Sequence, residues 1–225
     1  MSAPLSYGLI LFLSSFFIQA QNPTPFYENG LVGYQNSEGE TIISPKYHSG
    51  STFFEGLALV VFNDLRGFIN TSGEEVIPLI YEDAARFSNG VARVKKLGHY
   101  GFINHENKVV IEMIFDEAGN FENGISPVRI GKEWHFIDLS GNALTDNKYE
   151  YAKNYSEGLA PVKLSGKWGF IDRCGTVVIP FEYDQAHVFK DGIAWVMKGE
   201  KPIYIDKSGK YVKDEEDLVP GTKRK

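Results

Sequence analysis

The side chains that could do chemistry are few and scattered. His48, His99, His105, His135 and His187 stand at unrelated spacings, with no HExxH, no GxSxG and no glycine-rich phosphate loop around them. A metal site or a general-base pair needs such groups to converge at ligand spacing, so no catalytic residue, metal ligand or cofactor is read from the sequence. Cys174 is the single cysteine of 225 residues, which rules out an intrachain disulfide and any CxxC site. It falls in a predicted turn, Asp172 to Gly175, where a free thiol or a bond between chains are the alternatives.

Positive charge does recur in register. At a constant interval the chain reads Leu59, Arg93, Pro127, Pro161, Trp195, and two residues on it reads Val61, Lys95, Arg129, Lys163, Met197. Arg93, Lys95, Arg129 and Lys163, with Trp195 as an aromatic anchor, are the candidate ligand-binding residues. Their chemistry suits an anionic polymer or an acidic protein face. Glu82, Asp116, Glu150 and Asp184 share a column of opposite sign, and mutual neutralisation of the two rows is the competing reading.

That interval is 34 residues, and it organises the chain. Gly56, Gly90, Gly124, Gly158 and Gly192 align at it, as do Phe68, Phe102, Phe136, Phe170 and Tyr204, and Phe53, Phe87, Phe121, Tyr155 and Phe189. A helical hairpin can have the same length, but Gly or Pro at 158, 161, 166, 169, 175 and 180 leaves no room for two helices in the clearest unit. Its residues alternate instead: Ala160, Val162 and Leu164 share one face of a strand. Ser165 and Gly166 turn into a second strand from Lys167 to Asp172, and Gly175 closes a turn into a third over Thr176–Ile179. Each unit is predicted to be a three-stranded meander followed by an irregular or short helical return. The aromatic columns are predicted to be core, packed between successive units. Asn36, Asn70, Asn104, Asp138, Asp172 and Asp206 are read as turn-forming side chains rather than a ladder of metal ligands.

The motif Lys167-Trp168-Gly169-Phe170-Ile171-Asp172, followed by Gly175, Val178-Ile179-Pro180 and Tyr183-Asp184, resembles the WG repeat. Weaker copies are Arg66-Gly67-Phe68-Ile69-Asn70 and Tyr100-Gly101-Phe102-Ile103-Asn104. The fourth unit departs from it, with His135 after Trp134 and Thr145-Asp146 where Ile-Pro is expected. The resemblance implies a mostly bacterial, β-rich array without an assigned enzymatic activity.

Composition agrees. With 43% hydrophobic and 23% charged residues the chain is globular, and a net charge of −6 argues against generic affinity for nucleic acid or anionic membrane. Leu5 to Ile18 is an uncharged apolar run, too short for a comfortable membrane span and suited to a secretory signal cleaved after Ala20. The predicted organisation is a signal at 1–20, six β repeats over 21–212 (about 22–55, 56–89, 90–123, 124–157, 158–191 and 192–212) and a charged tail at 213–225. The fold class expected is all-β, an open repeat array or solenoid, with a closed six-bladed propeller-like ring as the alternative. The function expected is an exported, periplasmic or extracellular, non-enzymatic binding or scaffolding protein that engages a protein or a polymer. A carbohydrate-binding module using Trp134, Trp168 or Trp195 is the alternative, followed by a hydrolase with a groove between repeats.

Overall fold

The computed structural model describes residues 22–214, all of whose regular elements are strands. The apolar leader and the charged tail beyond Asp214 lie outside the described residues.

The strands form six separate antiparallel sheets, or blades. The fifth is typical: a two-residue leading strand Tyr151–Ala152, then Ala160–Leu164, Lys167–Ile171 and Val177–Tyr183, paired in that order. The second blade (Ser49–Gly50 through Glu75–Tyr81), the third (Asp83–Ala84 through Val109–Phe115) and the sixth (Gln185–Ala186 through Tyr211–Asp214) repeat it. The first blade has three strands, Thr24–Glu28, Leu31–Gln35 and Thr41–Tyr47. The return segment expected to be irregular or helical, Phe181 to Phe189 in the fifth unit, is extended through Ala186 and irregular over 187–189, with no helical turn. In the fifth blade the last strand runs on to Tyr183, and Gln185–Ala186 then starts the next sheet. Its apolar side chains keep period two, with Ile179 and Tyr183 buried and Val178 and Pro180 exposed, which a helical turn would scramble.

Local chemistry accounts for the repeat. Ser165 and Gly166 both have positive φ, 51° and 76°, as a two-residue hairpin of matching twist requires. At the next turn Asp172 Oδ1 accepts the N–H groups of Cys174 (2.9 Å) and Thr176 (2.8 Å), and Asn70 and Asn104 do the same in their blades. The glycine after the tryptophan position has a different reason. A Cβ on Gly169 would stand 2.7 Å from the Ile179 carbonyl oxygen, and one on Gly67 would stand 2.5 Å from that of Ile77. The edge strand bulges over this point. Where His135 replaces the glycine, the blade keeps three strands, Glu117–Ala118, Ile125–Ile130 and Glu133–Asp138, and the edge strand is reduced to isolated bridges at Trp134–Tyr149 and Ile137–Ala143.

Hydrogen-bonded strand neighbours stay within each blade. Successive blades meet face to face through the aromatic columns. At the seam between the second and third, Leu57, Phe68, Ile77 and Tyr81 pack on Ala84, Phe87, Ala92, Val94 and Ile103. The rings Tyr34–Phe53, Phe68–Phe87, Phe102–Phe121, Phe136–Tyr155 and Phe170–Phe189 meet at centroid distances of 4.6–5.2 Å, one pair per seam. This corrects the expected open array. A solenoid extends one sheet from repeat to repeat, whereas these are discrete twisted sheets stacked by their faces, a six-bladed propeller-like arrangement.

Candidate functional site

The anticipated basic residues lie on the second strands, facing the leading strands of their own blades. Cross-strand register sets Lys95 opposite Asp83, Arg129 opposite Glu117 and Lys163 opposite Tyr151. Arg93 is engaged within the scaffold. Its Nη2 pairs with Asp83 Oδ2 at 3.0 Å, and its Nη1 donates to the Ala118 carbonyl of the next blade at 2.9 Å. Arg129 Nη2 pairs with Glu117 at 2.8 Å. Lys95 Nζ lies 5.2 Å from the centroid of the Tyr100 ring. Lys163 stands between Tyr151 and Trp168 in the ladder.

The carboxylate column has its own structural task. Glu82, Asp116, Glu150 and Asp184 accept the N–H groups of Gly98, Gly131, Gly166 and Gly199, at 3.1, 2.7, 3.0 and 2.7 Å. Each pins the hairpin turn of its own blade. Lys167 and the Gly199 amide hold the Asp184 carboxyl below its usual range.

A third polar set bridges the seams, and the sequence reading missed it. Glu55, Asn89 and Glu157 accept the N–H of Gly90, Gly124 and Gly192, thirty-five residues on and one blade further. Ser88 Oγ and Ser156 Oγ donate to the Phe121 and Phe189 carbonyls, and Lys153 Nζ donates to the Ala186 carbonyl at 2.9 Å. Lys153 is half-buried, close to the Trp168 ring, and desolvation lowers its pKa. The signal was a polar residue before each phased glycine, in a backbone conformation of positive φ that only the structure displays.

The three tryptophans differ. Trp134 is 5% exposed and packs on Tyr151, so it offers no platform. Trp168 lies beneath Lys153. Trp195 is half-buried beside His187, ring centroids 4.8 Å apart. Burial, and then the charge of Lys153, hold the His187 imidazole below its ordinary value.

Around Trp195 an open pocket of about 410 Å³ is lined by His187, Val188, Lys190, Asp191, Ile193 and Tyr204. This is the face that every other blade turns toward its successor. Ile193 is in phase with the buried Leu57 and Leu159, and Tyr204 with the buried Phe68 and Phe170, yet both are only half-buried in the sixth blade. The sequence carried one hint: the residue in phase with Phe189 is Lys223, so the ring column stops. Among the described residues no cluster of three His, Cys, Asp or Glu could hold a metal ion, and no helix is long and apolar enough to cross a membrane.

The blades and their face-to-face seams define an all-β, propeller-like protein. In overall fold the chain is similar to a eukaryotic initiation factor, with a TM-score of 0.57 at 11% identity, covering 86% of this chain and 62% of that one. It is likewise similar to Hsv2p of Kluyveromyces lactis, with a TM-score of 0.53 at 11% identity, over 84% of this chain and 72% of that one. Such identities carry the fold alone. The chain belongs to the WG containing repeat family, whose model matches residues 33–65, 67–98, 100–134, 136–168 and 168–201. The curated proteins contain no significant match.

Proposed function

We propose that this is an exported, non-catalytic binding or scaffolding protein that engages a protein partner on its repeat surface. One observation carries the reading. The polar columns are largely engaged in turns and seams, whereas at the sixth blade the pocket of about 410 Å³ leaves His187 exposed and Trp195 and Tyr204 half-exposed. Half-exposed aromatic rings beside charged groups are typical anchors of protein interfaces. Lys95 and Lys163 belong to the same reading as a flanking basic register.

Photo-crosslinking in the native envelope tests it, with the reactive residue placed in turn at Val188, Lys95, Lys163 and the remote edge position Val76. A discrete protein adduct from Val188 or the lysines, and none from Val76, is expected. A surface that yields no adduct at any position would overturn the binding role. Export is tested separately by N-terminal sequencing: a mature chain starting at Gln21 is expected, and a retained leader would contradict it. Trp195 and Tyr204 also admit a glycan. Quenching of tryptophan fluorescence by a glycan, lost in Trp195→Ala, would move the site to carbohydrate.

A further inference from the structure

The five packed seams show what this face is built to hold. Each is covered by the same element of the following blade: the leading strand, an aromatic ring in the turn after it, and the start of the second strand. At the third blade these are Ala84, Phe87, and Ala92 with Val94. Beside side-chain pairs such as Arg66–Asp83 and Glu157–Lys207, a recurring set of polar bonds across the seams goes to the covering element's backbone. Arg93 and Lys153 donate to leading-strand carbonyls, Ser88 and Ser156 donate to the carbonyl of the aromatic residue, and Glu55, Asn89 and Glu157 accept a glycine N–H. The sixth blade keeps this equipment in phase. His187 stands where Lys153 does, Lys190 where Ser156 does, and Asp191 where Glu157 does, while Tyr204 occupies the place of Phe170. All four line the pocket.

Resting on the binding role above, we infer that the occupant of this face is a polypeptide hairpin from another protein, which docks as a following blade would. Its backbone carbonyls accept from His187 and Lys190, a backbone N–H donates to Asp191, and one aromatic side chain enters against Tyr204 and Trp195. Contacts of this kind fix backbone course and a single ring, so they recognise a shape with one anchor rather than a long sequence. A second copy of this chain is a poorer fit. Its first blade would present Thr24 and Gln35 in the phase of Ala92 and Ile103, polar groups against an apolar face.

The chain itself supplies the probe. A fluorescein-labelled, backbone-cyclised peptide of residues 150–163 carries the covering element of the fifth blade, with Tyr155 as its ring. Titrated with the full-length protein and read by fluorescence polarisation, it is expected to bind saturably. Replacing its Tyr155 by Ser is expected to weaken binding at least tenfold, as is Trp195→Ala in the protein. Asp191→Gly, an exposed change at a φ of 54° that glycine adopts freely, is expected to weaken it several-fold. No saturable binding up to about 1 mM peptide, or equal binding by the Ser peptide, overturns the inference. So does concentration-dependent self-association of the protein that Trp195→Ala abolishes, since the occupant would then be a second copy. If the peptide fails while crosslinks at Lys95 or Lys163 still capture a partner, the binding role stands and only this assignment falls.

Discussion

Glu157 in the fifth blade accepts the N–H of Gly192 in the sixth at 3.1 Å and pairs with Lys207 of that same blade at 2.9 Å. One carboxylate thus ties two turns of the next blade, and Lys207 and the Gly192 amide hold it below the usual glutamate range. Both groups are exposed, so the contribution is small. Glu157→Ala is expected to lower the melting temperature by about 2 °C, and Glu157→Gln, which keeps an amide acceptor, by less. Differential scanning calorimetry of both variants, with and without 0.5 M salt, checks this. Equal melting of Glu157→Ala and the parent would show that the seam does not use it.

The two kinds of glycine are expected to fail differently. Gly169 sits 2.7 Å, measured from an added Cβ, from the Ile179 carbonyl, so Gly169→Ala displaces the edge strand and costs about 3 kcal/mol. Gly192 has open space around it and a φ of 81°, so Gly192→Ala costs only the left-handed strain, about 1–2 kcal/mol. Urea unfolding of the pair measures the difference, and a reversed order would contradict the close-approach account.

Asp172 and the asparagines at its position perform the same turn chemistry. Asp172→Asn is therefore expected to be nearly neutral, while Asp172→Ala loses two N–H partners and costs about 1 kcal/mol. Chelator is expected to leave the melting temperature unchanged. A fall with EDTA, restored by calcium, would turn this column into a metal ladder.

Acid should act on the sixth blade through His187. Its pKa is lowered in the folded chain, by burial and then by Lys153, so the folded state binds fewer protons there than the unfolded state. Stability is lost as the pH falls from the ordinary imidazole value of about 6.5 toward the depressed one. Unfolding measured between pH 7.5 and 5 should decline less steeply in His187→Gln than in the parent. Identical slopes would place the imidazole in an ordinary aqueous setting.

The repeat and its strands were legible because side-chain period and turn residues are local quantities: Ser165-Gly166 and Asp172 announce their turns without reference to the rest of the chain. The relation between units was not. Phe68 and Phe87 share a seam, and alignment shows that such rings recur without showing whether sheets join at their edges or stack by their faces. The basic register was visible as spacing, yet only the fold reveals that Arg93 spends its guanidinium on Asp83 and Ala118. Trp195 was found as an exception in its column. His187, Asp191 and Tyr204 were missed because each looks ordinary in its own column and becomes distinctive only where, among the described residues, no further blade packs on it.

The seam bonds from Gly90 to Glu55, Gly124 to Asn89 and Gly192 to Glu157 share one offset of thirty-five residues and so recur once per period, which makes the length of this protein quantised. Excising residues 90–123 would bring Gly124 directly after Asn89 and offer Glu55 the same amide it held before, whereas removing a few residues more or fewer would leave each donor facing the wrong neighbour. Growth and shrinkage by complete modules is thus the least disruptive path for such a gene, since it changes the number of blades without having to reinvent a single contact.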